Sequence, residues 1–292
     1  MARASALVKP PAQDLLHLEV LRTQQLSPHW MRITLGGGEI EKFTPLGFDQ
    51  WFRIFLPLGG DEGLERIPAK ANKIFGYLKY LRIPDGVRPV MRNYSVRAFR
   101  PATEARGAEL DVDFVIHGSG PTAGPASRWA QSCRPGESVV IIDEGLGFNP
   151  ERGVDRVVLV ADETGAPAVA SICASLPATA SGVAIIEAPS AEDALAFDAP
   201  AGVEVRWIVR GDEKPGILAL DALTALDLPT EPFHAFIVGE QSLPTSARRH
   251  LVAQGVSKDA ISFVGYWRTG AASPTPKSQL PQVSTTREGT HA

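Results

Sequence analysis

Hydrophobic and polar positions along the chain fall into two textures. Up to about residue 152, short runs rich in β-branched and aromatic residues recur at 30–35, 51–56, 93–98, 111–117 and 138–142. Several alternate apolar with polar, as a half-buried strand does when successive side chains point to opposite faces. Turn residues such as Gly36-Gly37-Gly38 and Arg134-Pro135-Gly136 separate the runs. One helical stretch, 124–132, interrupts them. Short strands with a single helix predict a small antiparallel barrel. Residues 59–88, rich in Gly, Lys and Pro, read as a long loop holding some helix.

From Val154 the texture changes. Continuous apolar runs at 157–161, 183–186, 205–209 and 235–238 alternate with helical candidates, notably 166–176 and 244–254. Strands alternating with helices predict a parallel sheet covered on both faces. The expected division is therefore 1–152 for the barrel and 153–270 for an α/β domain. Residues 271–292 carry too few apolar groups to offset their ordering entropy and read as a disordered tail.

Composition narrows the function classes. With 292 residues, 44% hydrophobic and 21% charged, the chain is an ordinary globular protein long enough for two cores. A net charge of -4 gives no reason to expect nucleic acid or an anionic membrane as partner. No apolar run approaches the roughly 20 residues of a membrane helix, and the first eleven residues lack a secretory apolar core. A cytoplasmic monomer is the expectation. Cys133 and Cys173 suit buried thiols; they cannot form a disulfide framework or a zinc site on their own. The six histidines show no metal-ligand spacing, so no protein-bound metal is expected. No G-x-S-x-G elbow and no G-x-G-x-x-G fingerprint occurs.

The chemistry-bearing signal is Met91-Arg92-Asn93-Tyr94-Ser95-Val96-Arg97. Tyr94 offers an aromatic face for a flavin, and Ser95 a hydroxyl and N–H at the same strand edge. Arg92 and Arg97 can each bind phosphate bidentately; an ordinary strand with solvated arginines is the alternative. Gly124-Pro125-Ala126-Ser127 opens a helix whose free N–H groups suit a pyrophosphate, or is a plain helix start. Asp162-Glu163-Thr164-Gly165 follows the first strand of the parallel sheet, where ligands of such sheets bind, and Asp162 or Thr164 can also cap the next helix. Glu187 ends the following strand; a carboxylate there accepts from a ribose diol and repels a 2′-phosphate, favouring NADH over NADPH. Arg210, or Arg248 with Arg249, would reverse that preference on reaching the adenosine end, though a solvated surface is the reading for the last two.

Taken in order, these residues resemble the siderophore-interacting protein family. The likeness runs through Asp49-Gln50-Trp51-Phe52-Arg53, Arg92-x-Tyr94-Ser95-x-Arg97, His117-Gly118-Ser119-Gly120 to Gly124-Pro125-Ala126-Ser127-Arg128-Trp129-Ala130, Asp162-Glu163-Thr164-Gly165-Ala166-Pro167-Ala168, Gly239-Glu240 and Gly265-Tyr266-Trp267-Arg268-Thr269-Gly270. It covers residues 15–270. The resemblance implies a ferredoxin-reductase-like fold, an antiparallel six-stranded-type FAD-binding barrel before an NAD(P)H-binding α/β domain with a parallel sheet. It further implies a reductase passing electrons from NADH or NADPH, or from reduced ferredoxin, through FAD to a ferric siderophore, whose iron leaves as Fe(II). Tyr94 and Ser95 would set flavin geometry. Arg92, Asn93, Val96, Arg97, His117, Gly124, Pro125, Ala126, Ser127, Asp162, Thr164, Ala166, Glu187 and Trp267 would complete the cofactor sites. Arg53, Arg128 and Arg268 would form a basic patch for an anionic siderophore. Val264 stands where the family often has a Lys before Gly-Tyr-Trp, which leaves the siderophore class open. Two other readings share these residues: a flavin reductase with a protein or quinone acceptor, and a siderophore carrier without redox activity.

Overall fold

The computed structural model describes residues 7–57, 60–71, 73–118 and 123–270; Ser119, Gly120 and the 271–292 tail lie outside the described residues. Seven strands form an antiparallel sheet: β1 (Leu16–Ser27), β2 (Trp30–Gly36), β3 (Trp51–Leu56), β4 (Val90–Ser95), β5 (Ala98–Arg100), β6 (Glu109–Val115) and β7 (Ser138–Gly145). Their order is β4-β3-β7-β1-β2-β6-β5, one strand more than the six-stranded type expected, because the turn at Val96 lets the chain restart as the short edge strand β5. The two sheet ends are joined by the chain itself. After β4, the Val96 N–H donates to Gln50 O (2.8 Å) and the Arg97 N–H to Asp111 O (2.9 Å). These two bonds turn the chain, so the strand expected over 93–98 ends at Ser95 and restarts at Ala98. Alternate side chains such as Leu18, Ile54, Val112 and Ile141 point inward and fill a barrel core, which helix α3 (Pro125–Ser132) closes with Ala126, Trp129 and Ala130.

The long loop after β3 holds α1 (Glu62–Glu65) and α2 (Ile74–Tyr80). Leu64, Tyr80 and Ile83 cover Phe55 and Val140 on the sheet's outer face. Gly76 is needed there, because a Cβ would stand 1.8 Å from Lys70 O.

The second sheet is parallel throughout: β8 (Arg156–Ala161), β9 (Ser181–Ala188), β10 (Gly202–Val209), β11 (His234–Glu240) and β12 (Ile261–Trp267). Its order is β10-β9-β8-β11-β12. Helix α4 (Ala166–Ser175) covers one face, α5 (Ile217–Thr224) and α6 (Ser242–Ala253) the other. Val157 to Ala161 are fully buried, which is why β8 reads as an unbroken apolar run. Strand order reverses between β8 and β11, and the crevice at their carboxyl ends is where open α/β sheets bind ligands.

Trp30 and Phe148 pack into the same cluster as Val157, Phe236 and α4, so the barrel and the parallel sheet share apolar core. Asp49 fixes the join by accepting from the Gly147 N–H (3.0 Å) and the Phe148 N–H (2.8 Å). Cys133 and Cys173 are buried free thiols. No helix among the described residues is long and apolar enough to cross a membrane, and none of their His, Cys, Asp or Glu side chains cluster as a metal site.

Candidate functional site

Strand β4 carries the aromatic and basic residues singled out in the sequence. Arg92 is half-buried, and among the described residues its guanidinium donates only to Met91 O (2.8 Å), with no carboxylate partner. Withdrawal from water pulls its pKa below the usual arginine range. A guanidinium so placed is complementary to an arriving anion. On the opposite face of β4, the Asn93 side-chain oxygen is buried with no hydrogen-bond partner among the described residues. Tyr94 is half-buried with its ring centroid 4.1 Å from that of Phe114, which lies 5.6 Å from Trp129 of α3.

That aromatic row ties β4 to the helix start. Gly124, the residue before α3, is exposed, has no side-chain cap, and would admit a Cβ without meeting any heavy atom within 4 Å. Pro125 occupies the first turn. The helix therefore opens with backbone donors available to an anion. Ala126 is buried in the barrel core, and Ser127 is buried with its carbonyl accepting from the Gln131 side chain (3.0 Å). An uncommitted arginine and an aromatic ring on one face of β4, with an open helix start, fit a phosphate-bearing flavin cofactor.

Three neighbours on the motif take other places. Val96 is buried in the barrel core and presents only backbone. Ser95 is buried beside the Tyr266 phenol, whose pKa burial raises and the Ser95 hydrogen bond lowers. Arg97 departs from the paired-phosphate expectation. Its one ion contact among the described residues is Asp113 at 3.7 Å, and it lines a cleft of about 210 Å3 with Trp30, Arg32, Pro167 and Trp207. Ala166 lies on the same cleft and in the shared core. Arg92 and Arg97 are thus in separate environments, because the turn at Val96 sends the chain towards β6.

At the carboxyl ends of β8, β11 and β12 a second group converges. Asp162 is fully buried. One oxygen accepts from the Thr164 N–H (2.8 Å) and hydroxyl (2.5 Å), the other from the Glu240 N–H (2.6 Å) and the Trp267 indole N–H (3.0 Å). Burial, reinforced by neighbouring Glu163, pushes its pKa up to about 7. Its carboxylate is therefore not presented to a ligand; it fixes Thr164 and Trp267, which are half-buried. Gly239 is required opposite, since a Cβ would stand 2.6 Å from the Asp162 carboxyl carbon. His117 is exposed, with its ring 6.2 Å from that of Trp267.

The structure corrects several other expectations. Glu187 does not face a ribose: it is fully buried and accepts from the Gly216 N–H (2.8 Å) and Ala219 N–H (3.0 Å), capping α5. Arg210 is held inside by both Glu163 oxygens and by Glu187 at 3.4 Å, so it does not reach outward for adenosine. Arg53 is not part of a surface patch; it is buried against Glu144 at 2.6 Å. Arg248 is half-buried, its guanidinium 4.9 Å from the Phe263 ring centre. Arg128 and Arg268 are exposed, and Arg128 donates to Ala123 O. The Glu163–Arg210 pair and the Ser95–Tyr266 contact were not read from sequence, because neither spacing nor residue type brings such distant positions together.

Comparisons with known proteins give the family. Residues 19–146 match the family model of the siderophore-interacting FAD-binding domain, and 154–270 that of the siderophore-interacting protein. A crystal structure of a siderophore utilization protein from T. fusca superposes with a TM-score of 0.77 at 29% identity, covering 93% of this chain and 99% of that one. The ferric vibriobactin reductase ViuB of Vibrio cholerae is 26% identical over 87% of this chain and 89% of its own. The NADPH-dependent ferric-chelate reductase of Escherichia coli K12 is 25% identical over 86% and 91%. This chain belongs to the siderophore-interacting protein family, with a siderophore-interacting FAD-binding domain over its first half.

Proposed function

We propose that the protein is an FAD-dependent reductase that passes electrons from NADH or NADPH to a ferric siderophore and releases the iron as Fe(II). The observation that carries this reading is the half-buried Arg92 without a carboxylate partner, on the same face of β4 as the Tyr94 ring. When bound, the flavin supplies the exchange between a two-electron nicotinamide donor and a one-electron metal acceptor. The protein's part is binding and orientation. Arg92 and the open start of α3 would hold the diphosphate and Tyr94 would pack on the ring, while Ser95, its side chain turned to Tyr266, would offer the ring only backbone. Asp162 holds Trp267 and Thr164 at the carboxyl edge of the parallel sheet, where the nicotinamide would approach.

We assign residues 1–152 to the flavin half and 153–270 to the nicotinamide half. Exposed Arg128 and Arg268 attract an anionic siderophore; Arg53, committed to Glu144, leaves that set. Siderophore oxygens are hard donors, so the less highly charged Fe(II) is held more weakly and leaves. The names of the Vibrio and Escherichia relatives favour this acceptor over a quinone.

An absorbance experiment tests it. The FAD-loaded protein is bleached anaerobically with NADH or NADPH, then given a ferric siderophore and an Fe(II)-specific chelator. Recovery of the flavin band with stoichiometric Fe(II) is expected. Bleaching that is reversed by quinones but not by any ferric siderophore would defeat the iron reading.

A further inference from the structure

Nine large hydrophobic side chains are exposed among the described residues, and four of them fall on one short stretch: Ile74 (74%), Phe75 (83%), Leu78 (49%) and Leu81 (40%). They belong to α2 and the residue that caps it. The helix is seated by its other side. Tyr80 packs edge-on to Phe55 with centroids 5.7 Å apart, and its hydroxyl donates to Pro89 O (2.7 Å). Tyr77 stacks on Tyr80, and buried Ala71, Gly76 and Ile83 complete the contact. The apolar stripe thus faces away from the protein because the helix already has its core-facing side.

Charge is concentrated on the same segment. Between residues 70 and 88 the chain carries five Lys or Arg against a single Asp, although the whole chain is at -4. Among the described residues, the side chains of Lys70, Lys79 and Arg82 have no hydrogen-bond or ion-pair partner. Exposed apolar groups rimmed by polar ones mark interaction surfaces. Three uncommitted cations beside them select an anionic partner.

We infer that α2 docks the protein on an anionic lipid bilayer, with Ile74, Phe75, Leu78 and Leu81 entering the headgroup–acyl boundary and Lys70, Lys79 and Arg82 meeting lipid phosphates. An interfacial helix has this composition, aromatic and aliphatic on one side with Lys and Arg beside it. None of the three cations is held in a fixed geometry, and attraction to a fluid charged surface requires none.

Flotation of the FAD-loaded full chain with vesicles tests this, using phosphatidylcholine alone and phosphatidylcholine with roughly 30% phosphatidylglycerol. Binding to the anionic vesicles alone is expected. Phe75→Ser with Leu78→Ser should weaken it at least about tenfold. Replacing Lys70, Lys79 and Arg82 by Gln should weaken it about fivefold per charge at low salt and far less near 0.5 M salt. Retained flavin absorbance and unchanged melting show that the variants are folded. The proposal falls if anionic vesicles bind no better than neutral ones, or if the apolar variant binds as well as the parent. It falls equally if the patch is occupied instead by a second copy, seen as a concentration-dependent dimer lost in the Phe75→Ser variant. Binding of an acidic ferredoxin with no vesicle binding would likewise assign the face to a protein.

Discussion

Arg53 and Arg92 lie on neighbouring strands, yet register puts Arg53 opposite Asn93 and Ile54 opposite Arg92, so the two arginines point to opposite faces of the sheet. Arg53 meets Glu144 and is spent on a buried ion pair; Arg92 meets no carboxylate. Arg92→Ala is therefore expected to weaken FAD binding about 10- to 100-fold, the loss of one or two charged hydrogen bonds, with little change in melting of the apoprotein. Flavin titration followed by absorbance measures it, and unchanged affinity would remove Arg92 from the site. Glu187 gives the opposite pattern. Because it caps α5 and faces Arg210, Glu187→Gln should cost about 1–3 kcal/mol in urea unfolding and leave the ratio of NADH to NADPH activity as it was. Sequence showed residue type for Arg53, Arg92 and Glu187 and placed each on or at the end of an expected strand. It did not show which carboxylate each arginine would meet, since Arg53 and Glu144 are joined only by the pairing of β3 with β7.

Elements were legible where burial leaves a periodic or continuous apolar signature. The run at 51–56 and helix α3 matched their expected positions to within a residue, because both sit on the barrel core. Strand β1 gave no such signal: after Leu16, Leu18 and Val20 its side chains turn exposed, and Thr23, Gln24 and Gln25 carry no apolar alternation. The join between the two sheets was equally silent, although it holds a group with a testable titration. Burial pushes the Asp49 carboxyl up to about 6. Unfolded, the same group loses its proton near pH 4. Its contribution to stability is therefore complete below about pH 4 and lost as pH rises to about 6, on the order of 2–3 kcal/mol. Asp49→Asn keeps an oxygen for the Gly147 and Phe148 N–H groups but cannot ionise. Relative to this variant, the parent should be more stable at pH 4.5 than at pH 7.5 in urea unfolding; parallel pH curves would show that Asp49 is not the titrating group.

At the scale of the molecule, averages carry no local placement. A net charge of -4 gave no reason to expect an anionic partner and says nothing of the basic segment around α2. The two-part texture of the sequence likewise suggests separable halves, whereas the cores are joined. Trp30 (2% exposed) and Phe148 (1%) belong to the sequence's first texture but pack among Val157, Leu159 and Phe236 of the second. Tyr266 of β12 reaches back to Ser95 of β4. A fragment of residues 1–152 would uncover both buried aromatics together with Phe48 and Val115, which pack on the same cluster. Losing the burial of a large aromatic costs about 3–5 kcal/mol, comparable with a domain's entire stability of about 5–15 kcal/mol. The fragment is therefore expected to aggregate or bind a hydrophobic dye without a sharp melting transition. In the full chain, Trp30→Ala should lower the melting of barrel and parallel sheet together. FAD release and far-UV circular dichroism should then report one coincident transition. A monodisperse fragment that binds FAD and melts cooperatively would show instead that each half folds on its own core, and that the shared cluster only docks them.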